Sequence, residues 1–189
     1  MPVFRTPSER RRWLSVTAAV ALLLAALYPL QFVLDALRER NLLRLTIAGL
    51  FLISAAAVLV ALARRRAPLR TWLVVAAAGA TYAAIALAME VPQERLHLVE
   101  YGALALLARE AIAESVAARA LRERVTSVDV WTLGFVTLIG WLDEAVQGAL
   151  PNRHYDLRDV AFNALAAGLA LGAAAAVRAT VAPPPARAG

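Results

Sequence analysis

Two short stretches hold much of the acidic, amide and imidazole chemistry outside the arginine clusters. The first is Glu90-Val91-Pro92-Gln93-Glu94-Arg95-Leu96-His97-Leu98-Val99-Glu100-Tyr101. The second runs from Asp143-Glu144 through Gln147, Pro151, Arg153, Asp156 and Asp159 to Asn163. On a helix His97, Glu100 and Tyr101 stand at i, i+3 and i+4 and share one face; Asp143 and Glu144 each lie one turn from Gln147. Asp156, Asp159 and Asn163 continue as i, i+3, i+7. A histidine among carboxylates suits general acid/base work, because neighbouring buried groups push their pKa values apart toward neutrality. His97, Glu100, Asp143 and Glu144 offer equally the nitrogen and oxygen ligands of a divalent cation. Arg153 then suits an anionic group of a substrate, with Gln147, Asp156, Asp159, Asn163 and Tyr101 as further binding candidates. The bond attacked would be one that water or a substrate hydroxyl can reach once activated.

Each residue also has a plainer use. Asp156 reads as a helix N-cap, with Asp159 completing a pair like a capping box. Arg153 can pair with an acidic neighbour, Asn163 can bond between helices, and His154 and Tyr155 suit a loop. Gln93, Glu94 and Arg95 suit a wet loop, Pro92 a helix start and Pro151 a turn. No His-Glu-x-x-His, P-loop, dinucleotide fingerprint or serine elbow occurs, and with no Cys there is no thiol nucleophile or disulfide.

The elements that must carry these residues are apolar. Of 189 residues 61% are hydrophobic and 18% charged, with mean hydropathy +0.62, against about 45–50% and 25% in ordinary globular domains. Uncharged stretches cover Trp13–Leu34, Leu45–Ala63, Thr71–Met89, Val130–Leu142 and Val160–Val177, and Leu96–Ala108 is broken only by Glu100. A bilayer core of about 30 Å takes roughly 20 helical residues, so the first three and the last are spanning candidates outright. The fourth and fifth have shorter windows because the candidate site residues interrupt them. The expected fold class is all-α: a polytopic membrane bundle of about six transmembrane helices, near 13–34, 43–63, 70–89, 92–110, 128–148 and 157–177. Pro29 is expected to kink the first. Residues 109–124 read as an interfacial helical connection, and Gly168 and Gly172 as a close-packing pair.

The net charge of +6 comes from 20 basic residues, all of them Arg. They cluster at the ends of apolar stretches, as in Arg10-Arg11-Arg12 and Arg64-Arg65-Arg66, which the positive-inside rule explains without a nucleic-acid partner. With the N-terminus inside, the inner segments hold 14 Arg and the outer segments 6, giving N-in and C-in with Trp13, Trp72 and Trp131 as interfacial anchors. The start Ser8-Glu9-Arg10-Arg11-Arg12 looks like a twin-arginine signal, but its apolar segment is too long and a retained signal-anchor is expected. The expected layout is a basic cytoplasmic 1–12, three helices in 13–90, a core in 91–177 and a disordered tail 178–189. Whatever the orientation, the start of helix four, the end of helix five and the start of helix six share one membrane face. Ionisable groups at that depth seek partners or an aqueous cavity, so the three polar stripes are expected to form one pocket.

Asp143-Glu144-Ala145-Val146-Gln147, then Pro151-x-Arg153, then Asp159-x-x-x-Asn163, resembles the signature of the VanZ-like family, Asp-Glu-x-x-Gln, Pro-x-Arg and Asp-x-x-x-Asn. That signature follows a helix that opens with a His, and here His97 takes its place, with Glu100-Tyr101 at the family's polar and aromatic positions. The likeness covers about Val91–Gly172. Gln93-Glu94 stand where many members have Asp-Lys, and Ala166 and Ala170 where glycines are common. The resemblance implies a bacterial multi-pass protein of the cytoplasmic membrane with a role in the cell envelope; the namesake is associated with resistance to the glycopeptide antibiotic teicoplanin. It implies His97, Glu100, Asp143, Glu144, Gln147, Arg153, Asp159 and Asn163 as the shared set. Membrane lipid, an envelope precursor or a small-molecule ligand are the expected partners. Neither a cofactor nor a reaction follows from it. A non-enzymatic assembly protein, with the polar cluster as a lock between helices, is the competing reading.

Overall fold

The computed structural model describes residues 3–89, 91–119, 127–150 and 155–181. Six helices occupy them, with no strand among the described residues: α1 (Pro7–Glu39), α2 (Leu43–Arg64), α3 (Leu69–Ala88), α4 (Arg95–Ala118), α5 (Val128–Gly148) and α6 (Leu157–Val181), with a 3₁₀ turn at Pro92–Glu94 before α4. The helices α1, α2, α3 and α6 are long and apolar enough to cross a membrane. α4 and α5 have 24 and 21 residues, which is the right length, but carry charged groups within them.

Local chemistry sets the boundaries. Thr6 caps α1, its Oγ1 accepting from the Glu9 amide at 3.0 Å, and Pro7 opens the first turn, where its missing N–H costs nothing. Ser127 caps α5 by accepting from the Val130 amide. Asn41 and Arg66 take left-handed φ values of 57° and 47° in the two short turns joining α1 to α2 and α2 to α3. Such short turns reverse the chain so that successive helices run antiparallel, although α2 and α3 barely touch.

α4 is the central element. Its buried face, Leu98, Tyr101, Leu104, Ala105, Ala108 and Ala111, recurs at helical spacing. It packs on Ala166, Ala167 and Leu171 of α6, Val136 of α5 and Val16 of α1. In lipid, apolar burial gives little net drive, and close contact between small residues supplies the association instead. Here Gly102 of α4 provides it: a Cβ at that position would lie 3.7 Å from the Ala170 Cβ and 3.0 Å from the Tyr82 hydroxyl. Gly168 and Gly172, the pair singled out by spacing, have nothing within 4 Å of a Cβ and do not pack closely. Only 11% of the apolar window is buried in each of α1, α2 and α3, against 33% in α6. Leu45, Leu52, Ile53, Leu73 and Leu87 therefore face outward, as lipid-facing residues do.

Several boundaries move from their expected places; α1 ends at Glu39 rather than near 34, and three extensions lie toward the other end of the bundle. α1 starts at Pro7 and absorbs half of the basic N-terminus. At about 1.5 Å per residue its 33 residues span about 50 Å, more than a bilayer core. α4 continues to Ala118, so the expected connection begins as its last turns; 120–126 lie outside the described residues. α6 runs on to Val181 and takes in the start of the expected tail, whose remainder, 182–189, also lies outside them.

Those extensions meet at one end of the bundle. Glu9, fully buried, accepts from the Arg5 amide at 2.7 Å, the Ser115 hydroxyl at 2.8 Å and the Arg119 guanidinium. Trp13 donates from Nε1 to Ser115 Oγ at 2.8 Å and stands edge-on to Phe135, so it is a packing residue as well as an end marker. Arg12 pairs with Glu110 at 2.6 Å, while Asp129 accepts from Arg109 at 2.6 Å and Arg178 at 3.0 Å. Several arginines read as topological signals are therefore also the ties between α1, α4, α5 and α6.

Candidate functional site

The opposite end, where α4 and α6 begin and α5 finishes, holds the polar stripes. α5 presents Gly140, Asp143, Glu144 and Gln147 on one face, and all four are buried. The Tyr101 hydroxyl of α4 donates to Asp143 Oδ2 at 2.9 Å. Gln147 Nε2 donates to that same oxygen at 3.2 Å and to Glu144 Oε1 at 3.0 Å. Glu144 Oε2 accepts the Asp156 amide at 3.3 Å, which ties α5 to the entry of α6. Asp143 and Glu144 are each 1% exposed, so two carboxylates lie out of solvent in a hydrogen-bonded chain. Charge in such surroundings is retained only where donors surround it.

His97 stands at the rim. Its ring lies 5.9 Å from that of Tyr101, and its Nδ1 is 3.8 Å from Glu100 Oε2 on the next turn. The His97 side chain is largely buried, whereas that of Glu100 is 37% exposed. A His97 ring nitrogen, a Glu144 oxygen and an Asp159 oxygen all lie within 4.8 Å of one another. Helices α4, α5 and α6 thus each contribute one ligand-type atom to a single point. The expected cation set was His97, Glu100, Asp143 and Glu144; the set that converges tightly replaces Glu100 and Asp143 with Asp159.

Asn163 lies one turn beyond Asp159 on α6 and is fully buried. A Cβ on Gly140 would sit 2.9 Å from the Asn163 Cβ and 3.0 Å from its Nδ2, so α5 and α6 approach closely one turn from the carboxylates. Neither Asn163 Oδ1 nor Nδ2 has a hydrogen-bond partner among the described residues. Asp156 takes the plainer of its two readings. It is exposed, stands just before the first residue of α6 and accepts the Arg158 amide at Oδ1, 2.8 Å away, so that its backbone rather than its carboxylate meets the site. Arg153, with Pro151 and His154, lies outside the described residues. Tyr155 is exposed beside Gly148.

Three residues that position these helices were not among the site candidates read from the sequence. Gly140 precedes Asp143 and Glu144 by i−3 and i−4, so the polar stripe itself pointed to it. Arg95, expected in a wet loop, is the first residue of α4 and donates from Nη2 to the Met89 carbonyl at 2.8 Å. Tyr82 of α3 donates to the Ala166 carbonyl at 2.8 Å, and no local pattern marked it.

Fold and site together define an all-α bundle, four of its helices long and apolar enough to cross a membrane, with a cluster at one end whose buried members are Tyr101, Asp143, Glu144, Gln147 and Asn163 and whose rim carries His97 and Asp159. Compared with protein-family models, curated proteins and solved structures, the chain matches none of them.

Proposed function

We propose that the chain is a VanZ-like protein of the bacterial cytoplasmic membrane, with six spans and both termini inside, whose polar site at the extracytoplasmic face binds or modifies a cell-envelope lipid or lipid-linked glycan. The observation that carries this reading is the convergence of His97, Glu144 and Asp159 from three helices on one point. A binding site needs chemically different groups from α4, α5 and α6 at the same depth, which is what this convergence supplies. A substrate anchored in the outer leaflet presents its headgroup at that level. The Tyr101–Asp143–Gln147–Glu144 chain holds the carboxylates in place, while the less enclosed His97 and Glu100 meet the incoming group. A link to glycopeptide resistance belongs to the same proposal and follows from the resemblance alone.

The test is a lipid and envelope-precursor profile of a deletion strain carrying wild type or His97→Ala. Wild type restores the profile and His97→Ala, at equal protein level, does not; equal restoration by both refutes the reading.

One observation favours a second reading, in which the cluster locks helices and does no chemistry. Asp143, Glu144 and Gln147 are buried and bonded to one another, as a structural network would be. A lock loses stability when Glu144→Gln or Asp143→Asn is made, whereas a reactive site loses activity and keeps its fold.

A further inference from the structure

The geometry points to a divalent transition-metal site formed by His97, Glu144 and Asp159, with Asn163 holding an oxygen of a water or substrate bound beneath the ion. It deepens the site reading above and rests on it for location, though not for the identity of any substrate.

One imidazole nitrogen and two carboxylates suit Zn²⁺ or Mn²⁺. With bonds of about 2.1 Å, ligand atoms around a four-coordinate ion stand roughly 3.4 Å apart. The three atoms here, within 4.8 Å of one another, reach that spacing by side-chain rotation of about an ångström. Their supports are in place. Gln147 Nε2 and the Asp156 amide fix the two oxygens of Glu144, and a carboxylate with four lone-pair directions keeps capacity for an ion. Glu100 Oε2 lies 3.8 Å from His97 Nδ1, beyond hydrogen-bond length but within a small side-chain shift of the position from which a carboxylate orients a ligating imidazole. Three protein ligands leave a coordination position open, as in catalytic metal sites.

Asn163 supplies the independent observation. It is fully buried, one turn from Asp159, and pressed against α5 at Gly140, one turn from Glu144. Leaving both ends of an amide without a hydrogen bond in such a place costs about 1–3 kcal/mol each. A water or substrate hydroxyl on the ion that extends one turn deeper would accept from Nδ2 and donate to Oδ1.

The full chain, purified in detergent and stripped with EDTA, is titrated with Zn²⁺ and separately with Mn²⁺. One ion is expected to bind at close to one equivalent. Asp159→Asn and His97→Gln are expected to weaken it about 100-fold or more, and Glu100→Gln, an orienting group, about 10–100-fold. Asp129→Asn, at the other end of the bundle, leaves affinity unchanged. Thermal transitions of the ion-free proteins identify any variant that has lost its fold, and the remaining one decides. No stoichiometric ion in the wild type, or equal affinity in the folded ligand variants, overturns the proposal. Tight binding in a chain whose ligand variants still complement the deletion strain removes the envelope activity and keeps the metal site; absent binding with failed complementation does the reverse.

Discussion

Gly140→Ala tests whether the approach of α5 to α6 shapes the site. The added methyl would stand 2.9 Å from the Asn163 Cβ, 3.0 Å from its Nδ2 and 3.3 Å from Tyr101 Cε1. Carbon atoms rest at about 3.5–4.0 Å, so the two helices have to part by roughly half an ångström or more. Rotation offers no escape, because the nearest atom is the Asn163 Cβ, whose position follows its backbone. Overpacking of this kind costs about 1–3 kcal/mol, and exchanging glycine for alanine in a helix returns about 0.5–1. The net expectation is a loss of about 1–2 kcal/mol, accompanied by displacement of Asn163 and of the tyrosine that bonds Asp143. Gly134→Ala on the same helix is the control: nothing lies within 4 Å of its Cβ, and stability should stay within about 0.5 kcal/mol or rise. Reversible unfolding in mixed micelles with increasing SDS reads both. Equal midpoints for Gly140→Ala and Gly134→Ala would refute the close approach.

At the other end of the bundle, Glu9→Gln removes the charge that meets Arg119 while keeping the shape. Breaking a buried pair costs about 3–5 kcal/mol; with the Arg119 side chain 30% exposed, a loss of about 2 is expected by the same unfolding assay. Arg12→Gln breaks a pair with 41% and 54% exposed side chains and should change stability by less than about 1 kcal/mol. Asn163→Ala removes an amide that the described protein groups do not satisfy and adds nothing to the close contact with Gly140. The unfolding midpoint should hold or rise while complementation of the deletion strain fails; a loss of about 2 kcal/mol or more would show that Asn163 bonds within the protein.

Much of this arrangement could be read from the residues. Long uncharged stretches marked α1, α2, α3 and α6 because only such stretches fill a bilayer. The stripes on α4, α5 and α6 were legible because the side chains at i, i+3 and i+4 share a face, and parity put their ends together. What sequence could not supply was distance between helices. Asp159 replaces Glu100 and Asp143 beside His97 and Glu144 because of how α6 sits on α4 and α5, which no single stripe encodes. Gly168 and Gly172 satisfy the small-residue spacing but face open space, whereas Gly102 and Gly140, lacking a paired glycine one turn away, make the close approaches. Glu9 looked like part of a charged tail; Arg119, 110 residues away, makes it a buried tie.

The central claim is that the buried cluster works on a ligand and does not merely join helices. Glu144→Gln, measured for unfolding midpoint and for rescue of the deletion strain's envelope profile in the same preparation, tests it most directly. The side chain keeps its size and its Oε1, which can still accept from Gln147, and the Asp156 amide that loses Oε2 stands at the exposed entry of α6, where solvent can take its hydrogen bond. The expected result is a midpoint within about 1 kcal/mol of wild type with no rescue. Full rescue, or a collapse of the fold that alone explains the failure, would contradict it.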